Sequence, residues 1–460
     1  MIPGASAGSF SVPLRHREIQ QPWPGQGQSH FGETRMKTIE WQGKHLALLR
    51  DLKSSNGAPP ERLLAHERVA LFSTPLAGGT LVDVAAFLAQ VRQLGQEIKA
   101  QLVAMDEEVD LILTALLSGD TVFFLSLPGA AKTTLARLVA KGVGGKFFRR
   151  NLTPDTSQND LFGPLDPAKV QHGVWGRKLS GVATAAIASI DECFKGSGPV
   201  QQMLLDAFEE HVLAEPDAIH HLPLLLGITA SNELVNDRIE NAFWDRLIIR
   251  KVVEYPRGED AWESLLTSTH GSVPIQTRLD PEDVMLVQGL VDYRAADIPA
   301  EVRKRMVRIK MQLETRQVSV SPRHFLAWAR VSTARALLLG EPHVTPRAIA
   351  VGEHLLWVSK DDIPAVRDVV RNLSDPQRGV LRAVEADLEN ILANIHTTSQ
   401  LSELVHWQKT ISKHEAALKK VIDPEHQAAK EAMHERMREA SSLLVARSAD
   451  LMEVAAQPSV

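Results

Sequence analysis

The chain of 460 residues has one cysteine, Cys193, so no disulfide can form within it, and that fits a reducing compartment. No run approaches the roughly 20 apolar residues needed to span a bilayer, and the first residues lack an apolar signal core. The sequence is therefore expected to be that of a cytoplasmic protein with no membrane span. A strong charge of either sign is missing too. With 51 Lys and Arg against 56 Asp and Glu, the net charge of −5 gives no electrostatic footprint for nucleic acid, although a local basic face could hide in the average. The 17 histidines lack the paired i, i+4 spacing with a carboxylate that helical zinc sites use; His211 and the pair His220 and His221 read as solvated or hairpin residues. What the chain has is core material: 44% apolar and 23% charged residues, enough for two to four soluble domains.

Residues 122–125 are a short apolar run of the kind that forms a strand buried on both faces, and from Leu135 apolar residues recur with helical spacing. Between them, Ser126, Pro128, Gly129, Ala130, Ala131, Lys132, Thr133 and Thr134 form a degenerate Walker A loop. Such a turn wraps phosphates with backbone N–H groups at a helix N-terminus; Lys132 would reach the terminal phosphates of ATP, and the Thr133 hydroxyl would hold Mg2+. Ser126 and Ala131 stand where the pattern has Gly, so the loop alone is equally an ordinary strand–turn–helix with a surface lysine.

Later segments supply its complement. Residues 186–190 are small and apolar and end in Asp191 and Glu192, as a buried parallel strand would deliver a Walker B pair: Asp191 for the Mg2+ shell, Glu192 to polarise the attacking water. The plainer alternative is an acidic pair capping the next helix. A third apolar run, from Leu222, ends in Ser231 and Asn232, whose amide could contact the γ-phosphate or the water. Arg246 follows Asp245 on an apolar segment and suits an arginine finger reaching a neighbouring subunit's nucleotide; alone it would be a helix-end cation. Cys193, directly after the acidic pair, reads as a small core residue.

With these motifs in series, the chain resembles the MoxR-type AAA+ ATPases, most clearly over residues 105–256. The strings at 116–120, 151–164 and 229–233 are similar to that family's blocks, and Asp160-Leu-Phe-Gly-Pro164 with the long C-terminal extension resembles the RavA branch. The resemblance implies an α/β fold: a three-layer αβα P-loop core with a parallel sheet, an all-α lid and here a C-terminal all-helical module. It makes Ala131 a usual loop residue and Ser126 a departure that bears on rate and affinity. It also implies two β-hairpins facing the pore of a ring, at 163–181 and 209–222, where Trp175 either contacts the pore or packs its hairpin onto the domain. Arg323, behind the helix start Ser321 and Pro322, is implied to be a second sensor of the γ-phosphate; as an isolated residue it would be an exposed first-turn arginine. A further lid helix is expected from about Thr345 to Ser359.

The expected organisation is a mobile arm rich in Gly, Pro, Gln and Ser at 1–79, with one short helix near Arg50; a core at 80–256; a lid at 257–374; and a helical module at 375–460. Helical spacing is read from Thr80 to Leu117. In the last module Leu381, Val384, Leu388, Ile391 and Ile395 repeat at 4-3 spacing, as do Leu404, Trp407, Ile411 and Leu418 with a gap at His414, and Pro424 precedes a third helix. Three antiparallel helices would bury that seam, either as a partner-docking arm or as packing on the lid. The β-rich part of RavA-like extensions has no counterpart pattern after residue 380.

The function expected is ATP hydrolysis in a homo-oligomeric, hexameric ring, driving chaperone-like remodelling of a protein client, with a partner bearing a von Willebrand factor A domain implied by the resemblance. Two rivals stand: a DNA-dependent motor on the same core, and a nucleotide-gated scaffold that scarcely hydrolyses, for which Ser126 is the only support.

Overall fold

The computed structural model describes residues 37–41, 44–47, 80–233, 242–267, 274–398, 400–422 and 427–456. Of the expected N-terminal arm only two strands fall within these, β1 (Lys37–Trp41) and β2 (Lys44–Ala47); the helix expected near Arg50 lies outside the described residues. With β3 (Thr80–Asp83) they form a sheet in the order β2-β1-β3, β1 antiparallel to β2 and parallel to β3. The helical reading from Thr80 is thereby corrected at its start. Asp83 ends the strand in an extended conformation, and its carboxylate accepts from the N–H groups of Ala85 and Ala86, so the helix begins at Val84 and runs as Val84–Lys99.

The central sheet is built from β4 (Val122–Ser126), β5 (Phe147–Asn151), β6 (Ile187–Asp191), β9 (Leu226–Ser231) and β10 (Ile249–Val253), in the order β10-β4-β9-β6-β5 with every pairing parallel. Parallel strands need crossover helices and both faces covered, and the arrangement is the αβα sandwich expected. β4 and β9 are buried throughout, whereas the edge strand β5 carries Arg149 and Arg150, charges that discourage further strand pairing there. Helix Lys132–Gly142 packs closely on Val84–Lys99: a Cβ on Gly142 would come within 2.2 Å of Leu94.

The two expected hairpins differ. Strands β7 (Val212–Glu215) and β8 (Ala218–His221) form an antiparallel pair. The segment 163–181 pairs its two arms antiparallel, through the bridge Leu165 to Arg177 and the backbone bonds Asp166 N–H to Gly176, Lys178 N–H to Pro164 and Ser180 N–H to Phe162, but its tip holds the helix Pro167–Gln171, started by the Asp166 cap and Pro167. Trp175 is exposed, and its backbone N–H donates to Asp217 in the turn between β7 and β8. A buried ion pair, Arg177 to Glu215 at 3.0 Å, joins the two insertions.

The lid contains helices Pro281–Ala295, Ala300–Thr315, Pro322–Leu339 and Ile363–Ser374. Pro322–Leu339 starts as the sequence suggests, with the Ser321 hydroxyl accepting from the His324 N–H. The helix expected to reach Ser359 is only Pro346–Ile349 followed by a 3-10 turn, Ala350–His354. Trp328 causes this: its indole N–H takes the Ile349 carbonyl at 2.9 Å and its ring lies against Gly352. Residues 84–370 share one hydrophobic core; a second cluster, from Leu381 to Leu444, is internal to helices Pro376–Asn394, Leu401–Leu418 and Gln427–Ala456. His414, the gap in the heptad pattern, is buried in that seam and bonded to Asp387 at 2.7 Å.

Lid and sheet are pinned together by Arg250 of β10. Its fully buried guanidinium donates to the carbonyls of Leu247, Trp244 and Trp357 and to His324 Nε2, 2.9 Å away, and lies 4.1 Å from the Trp244 ring centroid. Burial pulls its pKa down to about 9, which leaves it charged at neutral pH. Burial, followed by the Arg250 charge, pulls His324 down to about 4, so the ring is neutral; its Nδ1 lies 2.8 Å from the Leu355 carbonyl, and its Nε2 lies 2.9 Å from the Arg250 guanidinium and 2.9 Å from the Asp245 carbonyl.

Two expectations follow. Arg250→Leu removes a donor from three buried carbonyls, of which Trp244 keeps the Leu247 N–H, and should cost about 3–5 kcal/mol in urea unfolding at pH 7, while a loss under about 1 kcal/mol would contradict the pinning role. Because the unfolded chain protonates His324 below pH 6.5 and the folded chain only near 4, stability should fall as pH drops through that window, by on the order of 3 kcal/mol in all. His324→Gln should flatten that part of the pH–stability curve; an unchanged slope would count against it.

Candidate active site

The strand register alone sets up a cleft. Leu125 pairs with Ser231, Asp191 with Ala230, Asn151 with Asp191 and Val253 with Ser126, so the C-terminal ends of all five strands lie level at one edge of the sheet. In open parallel sheets that edge is where ligands bind. Beyond it opens a cleft of ≈ 190 Å³ lined by Pro128, Lys132, Thr133, Asn151, Asp191, Glu192, Ala230, Ser231 and Asn232.

The loop after β4 turns back into a helix through two left-handed residues, Gly129 at φ 83° and Ala131 at φ 52°; a Cβ on Gly129 would meet nothing within 4 Å, so the loop is open on that side. Ser126 is buried and its hydroxyl donates to the Leu127 carbonyl, so it serves the turn itself. Ala130 is half-buried, whereas Thr134 is exposed and does not line the cleft. Lys132 begins the helix Lys132–Gly142, and its ammonium lies 3.4 Å from Asn232 Oδ1. The Asn232 amide donates in turn to Glu192 Oε1 at 2.6 Å. Residues 100 and 40 positions apart thus meet in one hydrogen-bonded chain. Glu192 itself sits at φ 52°, a strained conformation for a non-glycine residue of the kind found at functional sites. Partial burial pulls the Lys132 pKa down, opposed by the charges of Asp191 and Glu192. Cys193 is fully buried, which pushes its thiol pKa far up and leaves it no nucleophile's part.

Four residues outside the motif reading belong here. Arg149 Nε and Nη2 both engage Asp191 Oδ2, at 3.1 and 2.8 Å. Lys195 lies 3.4 Å from Glu192, and Tyr255 donates to the Pro128 carbonyl at 2.6 Å. Asn151 lines the cleft from the end of β5. The available signal was positional: Asn151 ends the strand next to the one that delivers Asp191, and Arg149 stands two residues before it.

The two arginines expected at nucleotide do not line this cleft. Arg246 ends the helix Ala242–Arg246 and pairs with Glu209; Arg323 pairs with Asp245 at 2.8 Å and with Glu209 at 3.3 Å. The structure gathers them with each other, at the root of the β7–β8 hairpin.

An ammonium, a hydroxyl, two carboxylates and an amide around an open, left-handed loop at a helix start form a donor set whose chemistry fits a magnesium triphosphate, with the Oδ2 of Asp191 engaged by Arg149. Elsewhere among the described residues, Glu107, Glu353 and His354 bring potential ligand atoms within 4.8 Å of one another, but Lys251 engages Glu107 and Arg371 engages Glu353 at 2.8 Å.

Residues 89–278 match the family described as the MoxR domain in the MoxR-vWA-beta-propeller ternary systems. An uncharacterized Methanocaldococcus jannaschii protein is 28% identical over 66% of this chain and 81% of its own length. The chaperone MoxR1 of Mycobacterium tuberculosis is 24% identical over 55% of this chain and 70% of its own. A Cytophaga hutchinsonii crystal structure, described as a candidate ATPase, superposes with a TM-score of 0.51 at 18% identity, covering 63% of this chain and 94% of that one, which is a likeness of fold.

Proposed function

Because this chain belongs to the MoxR-type AAA+ ATPases, we propose that it hydrolyses ATP to ADP and phosphate in a homo-oligomeric ring and uses the cycle to remodel a protein complex. The observation that carries this reading is the meeting of Lys132, Thr133, Asp191, Glu192 and Asn232, drawn from three strand ends, at one cleft. Hydrolysis of a γ-phosphate depends on positioning and charge neutralisation more than on covalent steps. Bound between Thr133 and Asp191, Mg2+ would supply part of that neutralisation. Lys132 holds the terminal phosphates, and the loop N–H groups cradle them. Glu192 orients the attacking water and draws its proton, while Asn232, hydrogen-bonded to both Lys132 and Glu192, keeps these two groups in register. Arg246 completes the neighbouring subunit's site, and Arg323 reports on this subunit's own nucleotide from the lid.

The family described for residues 89–278 supports a partner with a von Willebrand factor A domain, alongside a β-propeller component; the protein client rests on the chaperone reading alone. The ring is part of the same proposal, since a finger arginine is supplied by a neighbour, and its six subunits rest on the resemblance to the family alone. A RavA-like subdivision rests on the Asp160–Pro164 string and the C-terminal helices alone. Among the described residues no helix is long and apolar enough to cross a membrane; the cytoplasmic setting rests on the single cysteine.

Glu192→Gln should retain ATP binding and turn over at least ~100-fold more slowly, the loss associated with a water-orienting group, and near-normal turnover would refute the role. Arg246→Ala should abolish hydrolysis while keeping nucleotide binding. Mixed with Lys132→Ala subunits, it should regain measurable activity, since a wild-type loop then meets a wild-type finger; a mixture as inactive as its components would argue against a site shared between subunits.

A further inference from the structure

We propose that Glu209 is a phosphate-like lock on Arg246 and Arg323, ties them to the β7–β8 hairpin, and is displaced when nucleotide phosphate takes its place. The inference rests on the roles proposed above for Arg246 and Arg323.

The geometry is specific. Glu209 lies in the π-helical turn Asp206–Glu210, which continues the helix Gly198–Leu205 and leads through His211, at φ 53°, directly into β7. Its Oε2 takes the Nε of Arg246, and its Oε1 lies 3.3 Å from the Nε of Arg323. One carboxylate therefore serves two guanidinium groups from different parts of the fold, one at the end of the short helix before β10 and one in the first turn of a lid helix. Arg323 has a second acceptor, Asp245 Oδ2 at 2.8 Å, and the Ser321 hydroxyl donates to the other oxygen of that carboxylate, Oδ1, at 3.2 Å, so the Arg323 guanidinium is tethered to the short helix before β10 independently of Glu209.

Two acceptor oxygens presented to guanidinium N–H groups are the binding chemistry of a phosphate. A nucleotide phosphate and the Glu209 carboxylate thus compete for the same donors. The competition runs in two directions: Arg323 would turn towards this subunit's nucleotide and Arg246 towards the neighbour's, so either departure loosens Glu209. What Glu209 then releases is the root of the hairpin. That hairpin is coupled to the other insertion through the buried Arg177–Glu215 pair and the hydrogen bond from Trp175 to Asp217. The residues from Glu209 to Glu215 therefore form a short mechanical path from phosphate to an exposed apolar rim comprising Val170, Val174, Trp175 and Ile219.

The test is the full-length protein carrying Glu209→Gln, which keeps the side-chain volume and removes the charge. If Glu209 competes with phosphate, ATP binding measured by calorimetry with Mg2+ should tighten about three- to tenfold, an effect opposite in sign to that of a damaged fold. Hydrogen exchange across Val212–His221 in this variant without added nucleotide should rise to the level that the parent reaches only with ATP. Glu209→Asp, too short to span both arginines, should move both readouts in the same direction by less. In an Arg246→Ala, Arg323→Ala background the affinity gain should vanish. Unchanged or weaker ATP binding by Glu209→Gln, with the parent binding normally, overturns the lock alone; a parent that binds no ATP overturns the site reading and the lock with it.

Discussion

The parallel register of β4, β9 and β6 is the constraint on which the site depends. With Leu125 opposite Ser231 and Asp191 opposite Ala230, the strands finish level, and the first residues beyond them fall within hydrogen-bonding reach. A slip of one residue in β9 would turn its side chains to the opposite face of the sheet and take Asn232 away from Lys132 and Glu192. The register is in turn fixed by burial: β4 and β9 are enclosed on both faces, and the surrounding helices leave no room for an alternative. Function here follows from sheet packing before it follows from any one side chain.

The charges at that edge are partnered within the protein. Lys132 is joined to Glu192 through Asn232, Asp191 is held by Arg149, and Glu209 gathers Arg246 and Arg323. Phosphate and metal would enter by exchanging partners, which makes their binding a rearrangement of the cleft and couples it to β5, the lid and the hairpin. Arg250 shows the opposite solution to a charge inside a protein. Among the described residues no carboxylate is in hydrogen-bonding contact with it; carbonyl dipoles, a neutral imidazole and an indole face hold it as a pin between sheet and lid, beside the ion pairs around Glu209.

Much of this was legible in the sequence, and the reasons differ by element. Strands buried on both faces are continuous apolar runs, so β4, β6 and β9 could be read, and with them the acidic pair and Asn232 at their ends. Local capping made the helix start at Ser321 and Pro322 readable, and 4-3 spacing revealed the seam of the C-terminal helices, even with His414 in place of an apolar residue. What could not be read depends on contacts distant in sequence. The shortened helix at Pro346–Ile349 is set by Trp328, and the joining of the two insertions by Arg177 reaching Glu215. The pairing of β1 with β2 and with β3 was hidden by a composition that reads as an unstructured arm. Arg149 and Glu209 lie outside any motif, and only the folded chain brings them to Asp191 and to the two arginines.

The central claim, that these strand ends form one magnesium–triphosphate site, is tested most directly by titration calorimetry of the purified protein with ATP in the presence of Mg2+. Saturable heat of binding that disappears in Lys132→Ala is the predicted result. No heat from the parent protein, or the same heat from both, would contradict it.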